Sequence, residues 1–488
     1  MTPLLQRVYA PDEFRRQGHA LVDRLADYLE ACPTLPGNPY REQEDLLATF
    51  RTLLEEGSTP EAIYELMLEH SLHLHSPAYM GHQVNPPAPL TALGDLLNGI
   101  INGSTAIFEM GSTGAVMERL VMETFARLLG LPDSAGGFMT NGGTLANLTA
   151  LLAARAAKWP EGSDAWKQGN GDIRPCVLVN EEAHYCIDRA VRIMGWGEAG
   201  IINVPANDGF SMQTDLLDGI IDDAISRGLH PIAIVGSACT TSTGSFDDLM
   251  AIAEAAQKHN LWFHVDGAHG GGTRLDPDRR HLVKGLDRAD SMIMDFHKMM
   301  MTPGLTTGIF FRKGSDAYRT FHQKADYLLT FDSGEEDWAN VGRRTFECTK
   351  NMMSLRVFSL LSVYGPEVFR EYIITVNAIA ARCAMAIKDM PDLELVMEPQ
   401  TNIVCFRYHP FSKGLSLLEV NELNLMVRSQ LYQETDFYVV QTKLRGVIWL
   451  RCTFTNPMTT DKHFTRMLEE VKARGEVLMR FRDGMPLY

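Results

Sequence analysis

An α/β fold with a mostly parallel central sheet is predicted for this 488-residue chain by three features. From about Thr140, short apolar runs rich in β-branched residues alternate with helical stretches, the pattern of parallel strands joined by crossover helices. Most polar residues with chemical potential fall just after those runs, at the strand ends where open α/β sheets hold ligands. With 45% hydrophobic residues, the chain can bury a core large enough for more than one domain.

The opening stretch reads as amphipathic helices: Phe14, Leu21, Leu25 and Leu29 recur at near-helical spacing, and a second run covers 42–56. It holds too little core to fold alone and reads as an arm, residues 1–75, that packs on the main body or on a second subunit. The large domain is assigned to 76–370, with strands expected at 176–180, 201–204, 232–237, 261–266, 291–295 and 307–311. After a helix around 352–364, strands at 403–408 and 447–454 and a helix at 461–474 suggest a smaller α+β domain, 371–488.

A net charge of −16 opposes binding of a polyanion, and no basic stripe offers a nucleic-acid surface, so a small molecule is the expected partner. The first residues lack the basic start and apolar run of a secretory signal, and no window resembles a membrane span. Eight cysteines are scattered without a CxxC pair; they read as reduced core residues of a cytoplasmic protein, and no metal site is expected. Met299, Met300 and Met301 read as core filling.

In FHVDGAHGG, Asp266 ends an apolar strand and precedes small residues that let a flat ligand approach the backbone. A buried aspartate needs a partner, and a protonated pyridine nitrogen is one; capping the next turn is the structural alternative. In SMIMDFHKMMM, Lys298 has strongly apolar flanks, and desolvation is expected to lower its pKa and favour the amine that an aldehyde captures. The alternative is a snorkelling lysine at a sheet edge.

The turn NGGT leads into a long Ala/Leu-rich helix, so the N–H groups of Gly143 and Thr144 and the Thr144 hydroxyl suit a phosphate, or else simply cap the helix. Neither GxxxxGK[ST] nor GxGxxG is present. His184, beyond the 176–180 strand, is placed to stack on a planar ring or shuttle a proton, against the reading of a structural histidine. Thr240 and Thr241 follow another strand, with hydrogen bonding to a ring substituent or capping as their alternatives.

The order of these motifs, from phosphate turn through histidine, threonine loop and strand-end aspartate to the His297-Lys298 pair, resembles the group II pyridoxal-phosphate (PLP)-dependent amino acid decarboxylases. These include glutamate, cysteine-sulfinate, diaminobutyrate and aromatic amino acid decarboxylases, and the likeness runs from HSPAYMGHQ to the C-terminus. The resemblance implies the aspartate-aminotransferase-like fold type I, PLP as cofactor, decarboxylation as the reaction and a homodimer with shared active sites. Lys298 would be the Schiff-base lysine and Asp266 the partner of the pyridine nitrogen. Ala268 would lie against the ring, His184 on its face and Thr241 near its oxygen side, with Gly143, Thr144 and His297 at the phosphate.

Within HQKADYLL, Tyr327 matches the tyrosine of a catalytic loop and would protonate the α-carbon; an ordinary core aromatic is its alternative. In WLRCTFTNP, Arg451 matches a carboxylate-binding arginine, with α- or side-chain carboxylate left open and a domain-interface salt bridge as the alternative. The substrate side chain is expected to meet Tyr79, His82, Gln83 and the segment around Phe108 and Glu109, a polar pocket favouring an acidic or small polar amino acid such as glutamate, aspartate or cysteine sulfinate. Diaminobutyrate or aromatic substrates, oxidative deamination on the same scaffold and a non-catalytic PLP-binding scaffold are the competing readings. Two departures from the family pattern, His269 after HVDGA and NGGT in place of SGGS/T, bear on the substrate.

Overall fold

The computed structural model describes residues 1–321 and 337–482. Contacts divide it into two compact units. One comprises Gln83–Ala380 and Met397–Ile403; the other comprises Met1–His82, Ala381–Val396 and the chain from Val404 onward.

The first unit is built on a seven-stranded sheet: β1 (Gly136–Thr140), β2 (Pro175–Asn180), β3 (Ile201–Val204), β4 (His230–Ser237), β5 (Trp262–Asp266), β6 (Ser291–Asp295) and β7 (Thr307–Phe311). The spatial order is β1-β7-β6-β5-β4-β2-β3. All adjacent pairs from β3 to β6 are parallel, whereas β7 runs antiparallel to both β6 and β1. The physical reason lies in the connector 296–306, whose one helical piece is the short Phe296–Met299: it is too short for a parallel crossover, so the chain turns back.

Alternate residues of the strands feed two apolar layers. Val177, Val179, Ile293 and Ile309 join the layer under the helix Gly143–Lys158, while Leu178, Phe263, Val265 and Met292 face the other side. Both faces are covered, which is why these strands are nearly continuous apolar runs. Met299 and Met300 are buried in the second layer and Met301 packs against it.

The other unit carries the N-terminal helices, among them Pro11–Ala31, Gln43–Glu56 and Pro60–His70. It also holds a four-stranded sheet of β8 (Leu393–Leu395), β9 (Ile403–Tyr408), β10 (Val440–Leu444) and β11 (Val447–Thr453), ordered β10-β11-β9-β8. The N-terminal helices and the C-terminal α+β segment, set apart at 75/76 and 370/371 by sequence, are thus grouped together by contact. No residue of the helix Pro11–Ala31 is buried, and Phe14, Val22 and Leu25 remain exposed along it. Among the described residues no helix is long and apolar enough to cross a membrane.

Candidate active site

The carboxyl ends of β4, β5 and β6 lie side by side, with Ser237 opposite Asp266 and Asp266 opposite Ile293 in register. Asp266 is therefore delivered to the rim of the sheet by the strand Trp262–Asp266, and Lys298 by the single helical turn that follows β6. Asp266 is 8% exposed; one carboxylate oxygen accepts from Asn147 Nδ2 at 3.0 Å and the other from the Ala268 N–H at 3.1 Å. Ala268 is thereby pinned against the aspartate, and its own carbonyl accepts from the Asp295 N–H.

Lys298 Nζ makes an ion pair of 2.8 Å with Asp295 Oδ2, and Thr307 donates its hydroxyl to the other oxygen of this buried carboxylate. Burial alone draws the lysine down, as expected from sequence. That expectation is corrected by Asp295, which, with Asp266 and the Cys186 thiol adding to it, holds Lys298 above the usual lysine value. Burial pushes the Asp295 carboxyl up, but Lys298 and His297 hold it below its usual range. Paired with Asp295, the amine is thus held as an ammonium.

His184 follows the end of β2, and its Nδ1 accepts the Cys186 N–H at 3.3 Å. Burial lowers its pKa against the pull of Asp266, and Lys298 lowers it further, so the imidazole is neutral near pH 7. These mutual effects show that His184, Asp266, Asp295 and Lys298 converge on one space.

The helix Gly143–Lys158 aims its N-terminus at the same rim. Gly142 caps it at φ 96°, ψ 157°, a conformation open to glycine, and a Cβ on Gly143 would lie 3.1 Å from both carboxylate oxygens of Asp295. The Gly143 and Thr144 N–H groups have no protein acceptor among the described residues, as befits an anion cradle. His297 sits close by in sequence to Lys298, its Nδ1 3.0 Å from Thr306 O and its Nε2 3.7 Å from Asp295 Oδ2. Thr240 is consumed by its own loop, accepting from the Ser245 N–H at 3.0 Å, while Thr241 is half-buried beside it. A glycine-floored cradle with unused N–H donors, a buried carboxylate and a partly accessible lysine fit the phosphate, ring nitrogen and aldehyde of PLP.

The remaining sequence-predicted residues lie elsewhere. Tyr79 is 1% exposed in the other unit, stacked on Tyr438 at 5.3 Å, with its hydroxyl donating to the His82 carbonyl at 3.4 Å. His82 is exposed, its pKa lowered by partial burial and by Arg451 and Arg428. Arg451 is buried on β11 in that same unit. Gln83 and Phe108 belong to the first unit; Gln83 is half-buried, and Phe108, half-exposed, meets Trp338 edge-on at 6.5 Å. Tyr327 lies outside the described residues.

Sequence reasoning missed Asp295, Asn147 and His264. Each carried a signal: Asp295 ends β6 as Asp266 ends β5, Asn147 is a lone amide one turn into an apolar helix, and His264 alternates with Asp266 along one strand face.

Comparison with known proteins agrees with this chemistry. The Pyridoxal-dependent decarboxylase conserved domain matches residues 62–409. The chain is 25% identical over 471 residues to an aromatic-L-amino-acid decarboxylase of Bacillus atrophaeus, covering 95% of this chain and 96% of the relative. It is 28% identical over 463 residues to an L-2,4-diaminobutyrate decarboxylase of Rhizobium meliloti, covering 94% and 91%. The fold matches the structure of Oryza sativa TDC with PLP and tryptamine at a TM-score of 0.88 and 23% identity, covering 98% of this chain and 100% of that one. Other relatives are named for aspartate and cysteine sulfinic acid, so the shared property is the reaction and not the substrate. Because the family match runs through the phosphate turn, the strand-end aspartate and the lysine alike, the chain belongs to the pyridoxal-dependent decarboxylases and is a PLP-dependent amino acid decarboxylase.

Proposed function

We propose that this enzyme decarboxylates an acidic or small polar L-amino acid to its amine, with Lys298 as the cofactor's attachment point and Asp266 facing its ring nitrogen. The observation that carries the site assignment is the pairing of Lys298 with Asp295 beside Asp266 at the ends of adjacent parallel strands. PLP bound here would supply an electron sink for the pair left at Cα on loss of the α-carboxylate.

The chain's own groups do the rest. Gly143 and Thr144 N–H groups, at the positive end of a 16-residue helix, bind the phosphate with His297. The Asp266 carboxylate, facing the ring nitrogen, would keep a proton there. Neutral His184 would stack on the ring face, Ala268 would lie against the ring, and Thr241 would stand near its oxygen side. Tyr327 returns a proton to Cα. Arg451 binds a carboxylate of the substrate, whose side chain meets Tyr79, His82, Gln83 and Phe108.

The preference for an acidic substrate is supported by the charges acting on His82, which are two arginines, Arg451 and Arg428. Carbon dioxide release measured across glutamate, aspartate, cysteine sulfinate, diaminobutyrate and aromatic amino acids tests it. Turnover highest on an acidic substrate supports the reading, and turnover confined to diaminobutyrate or an aromatic amino acid overturns it.

The active form is a cytoplasmic homodimer. Supporting this, Leu93, Leu96, Leu97, Ile100 and Ile101 are exposed along the helix Pro89–Ile101, an apolar face that calls for a cover; all eight cysteines are free thiols. Sedimentation at micromolar concentration should give twice the chain mass, and a monomer would overturn the assignment.

A further inference from the structure

Beneath Asp266 runs a buried relay that the reaction itself does not use. Trp262, His264 and Asp266 alternate along one face of β5, and Ser291 of β6 is the register partner of His264. Trp262 Nε1 donates to Ser291 Oγ at 2.8 Å, and Ser291 Oγ lies 2.8 Å from His264 Nδ1. His264 Nε2 lies 2.8 Å from Asn147 Oδ1, and Asn147 Nδ2 donates to Asp266 Oδ2 at 3.0 Å.

The Ser291 carbonyl also lies 3.2 Å from His264 Nδ1, so the roles along this chain follow from its Asp266 end and from the neutral ring. Both Asp266 oxygens accept, one from the Ala268 N–H and one from Asn147 Nδ2, so the Asn147 amide turns its NH2 towards the aspartate and its oxygen towards His264. His264 must then carry its proton on Nε2, and Nδ1 must accept from the Ser291 hydroxyl, which itself accepts from Trp262. All five side chains are at least nine-tenths buried. Burial takes the His264 pKa down to about 4, so the neutral tautomer persists at working pH. Asn147 also stands one turn beyond Gly143 and Thr144 in the same helix, so one amide links the phosphate cradle to the aspartate.

We infer that His264 is a positioning residue for the cofactor: by fixing the Asn147 amide, it holds the Asp266 carboxylate in the orientation that keeps the PLP ring nitrogen protonated. This rests on the reading that Asp266 faces that nitrogen. The neutral imidazole suits this place because it donates to Asn147 from one end and accepts from the Ser291 hydroxyl at the other without bearing charge.

The two amide replacements separate the histidine's ends. In His264→Gln the terminal NH2 falls near the Nε2 position and can still donate to Asn147; in His264→Asn it falls near Nδ1 and cannot. Purified apoenzymes are titrated with PLP, and the reconstituted holoenzymes are examined with ring-15N-labelled PLP by NMR. His264→Asn should weaken PLP binding about tenfold and move the pyridine 15N signal towards the unprotonated position, with His264→Gln within about twofold of wild type. Equal behaviour of the two variants, or wild-type affinity and 15N shift in His264→Asn, overturns the inference. Should either fail to fold, Ser291→Ala removes the donor to Nδ1 and must shift both readouts in the same direction; wild-type values there overturn it equally. Asp266→Asn is the control: wild-type affinity and shift in that variant would reject the placement of Asp266 itself, whereas loss there with none in His264→Asn rejects only the relay.

Discussion

Lys298 Nζ lies 2.8 Å from Asp295 Oδ2, three residues earlier at the end of β6, and this contact reverses the effect of burial on the lysine. Asp295→Asn should therefore let burial dominate and lower the Lys298 pKa. Covalent capture of PLP, followed by its visible absorbance, should reach its plateau at a lower pH than in wild type; an unchanged profile would remove Asp295 from this role. Lys298→Ala should abolish the covalent band and reduce decarboxylation by on the order of a thousandfold or more.

The glycines of the phosphate turn make a second prediction. At Gly142, φ 96° and ψ 157° are strained for any side chain, so Gly142→Ala should cost about 1–3 kcal/mol in urea unfolding. Gly143→Ala puts a methyl 3.1 Å from both Asp295 oxygens, inside the cradle, and should weaken PLP binding by about tenfold or more in equilibrium dialysis. Unaltered affinity in Gly143→Ala would place the phosphate elsewhere.

Acid should destabilise the apoprotein in a defined window. An unfolded histidine titrates near 6.5, whereas His264 in the fold titrates at about 4. Below pH 6.5 the unfolded chain binds the proton that the fold refuses, so stability falls as pH drops from 6.5 to 4, by about 2 kcal/mol at pH 5. His184 is depressed in the same direction by burial and adds to the loss. Urea midpoints at pH 7 and pH 5 read it; His264→Gln should flatten the difference, and an equal slope in that variant would exclude His264 as its source.

Lys350 and Glu118 form a buried ion pair at 2.8 Å, with side chains 1% and 3% exposed, tying the segment after β7 to the helix Phe108–Leu128. Glu118 also accepts the Met139 N–H at 3.1 Å, so the pair braces β1. Lys350→Met leaves Glu118 buried and uncompensated and should cost about 3–5 kcal/mol. Adding Glu118→Gln should recover much of that loss; additive losses in the double variant would show that the two side chains act independently.

The strands at Pro175–Asn180, Ser291–Asp295 and Thr307–Phe311 are legible from apolar runs alone, because burial on both faces writes itself into consecutive residues. Strand β1 is not, since Gly136 and Gly137 dilute its apolar signal, and β10, with exposed Gln441 and Lys443 on either side of half-buried Thr442, resembles a surface segment. The strand-end positions of Asp266 and Lys298, and the helix-start position of Gly143 and Thr144, were legible because an apolar run or an Ala/Leu-rich helix stands next to each.

What the amino-acid order determined by itself was therefore the cofactor chemistry, carried by short motifs whose residues are neighbours along the chain. Tertiary structure alone decided that Lys298 is charged and not neutral, because the sign of its shift depends on an Asp295 carboxylate oriented by Thr307 from the next strand. It alone joined Asn147, His264 and Ser291, which are far apart in sequence and brought together by the parallel register of β5 and β6 beneath the cradle helix. Motifs record what must be adjacent in sequence; hydrogen-bond direction and pKa depend on distances that only the packed sheet sets.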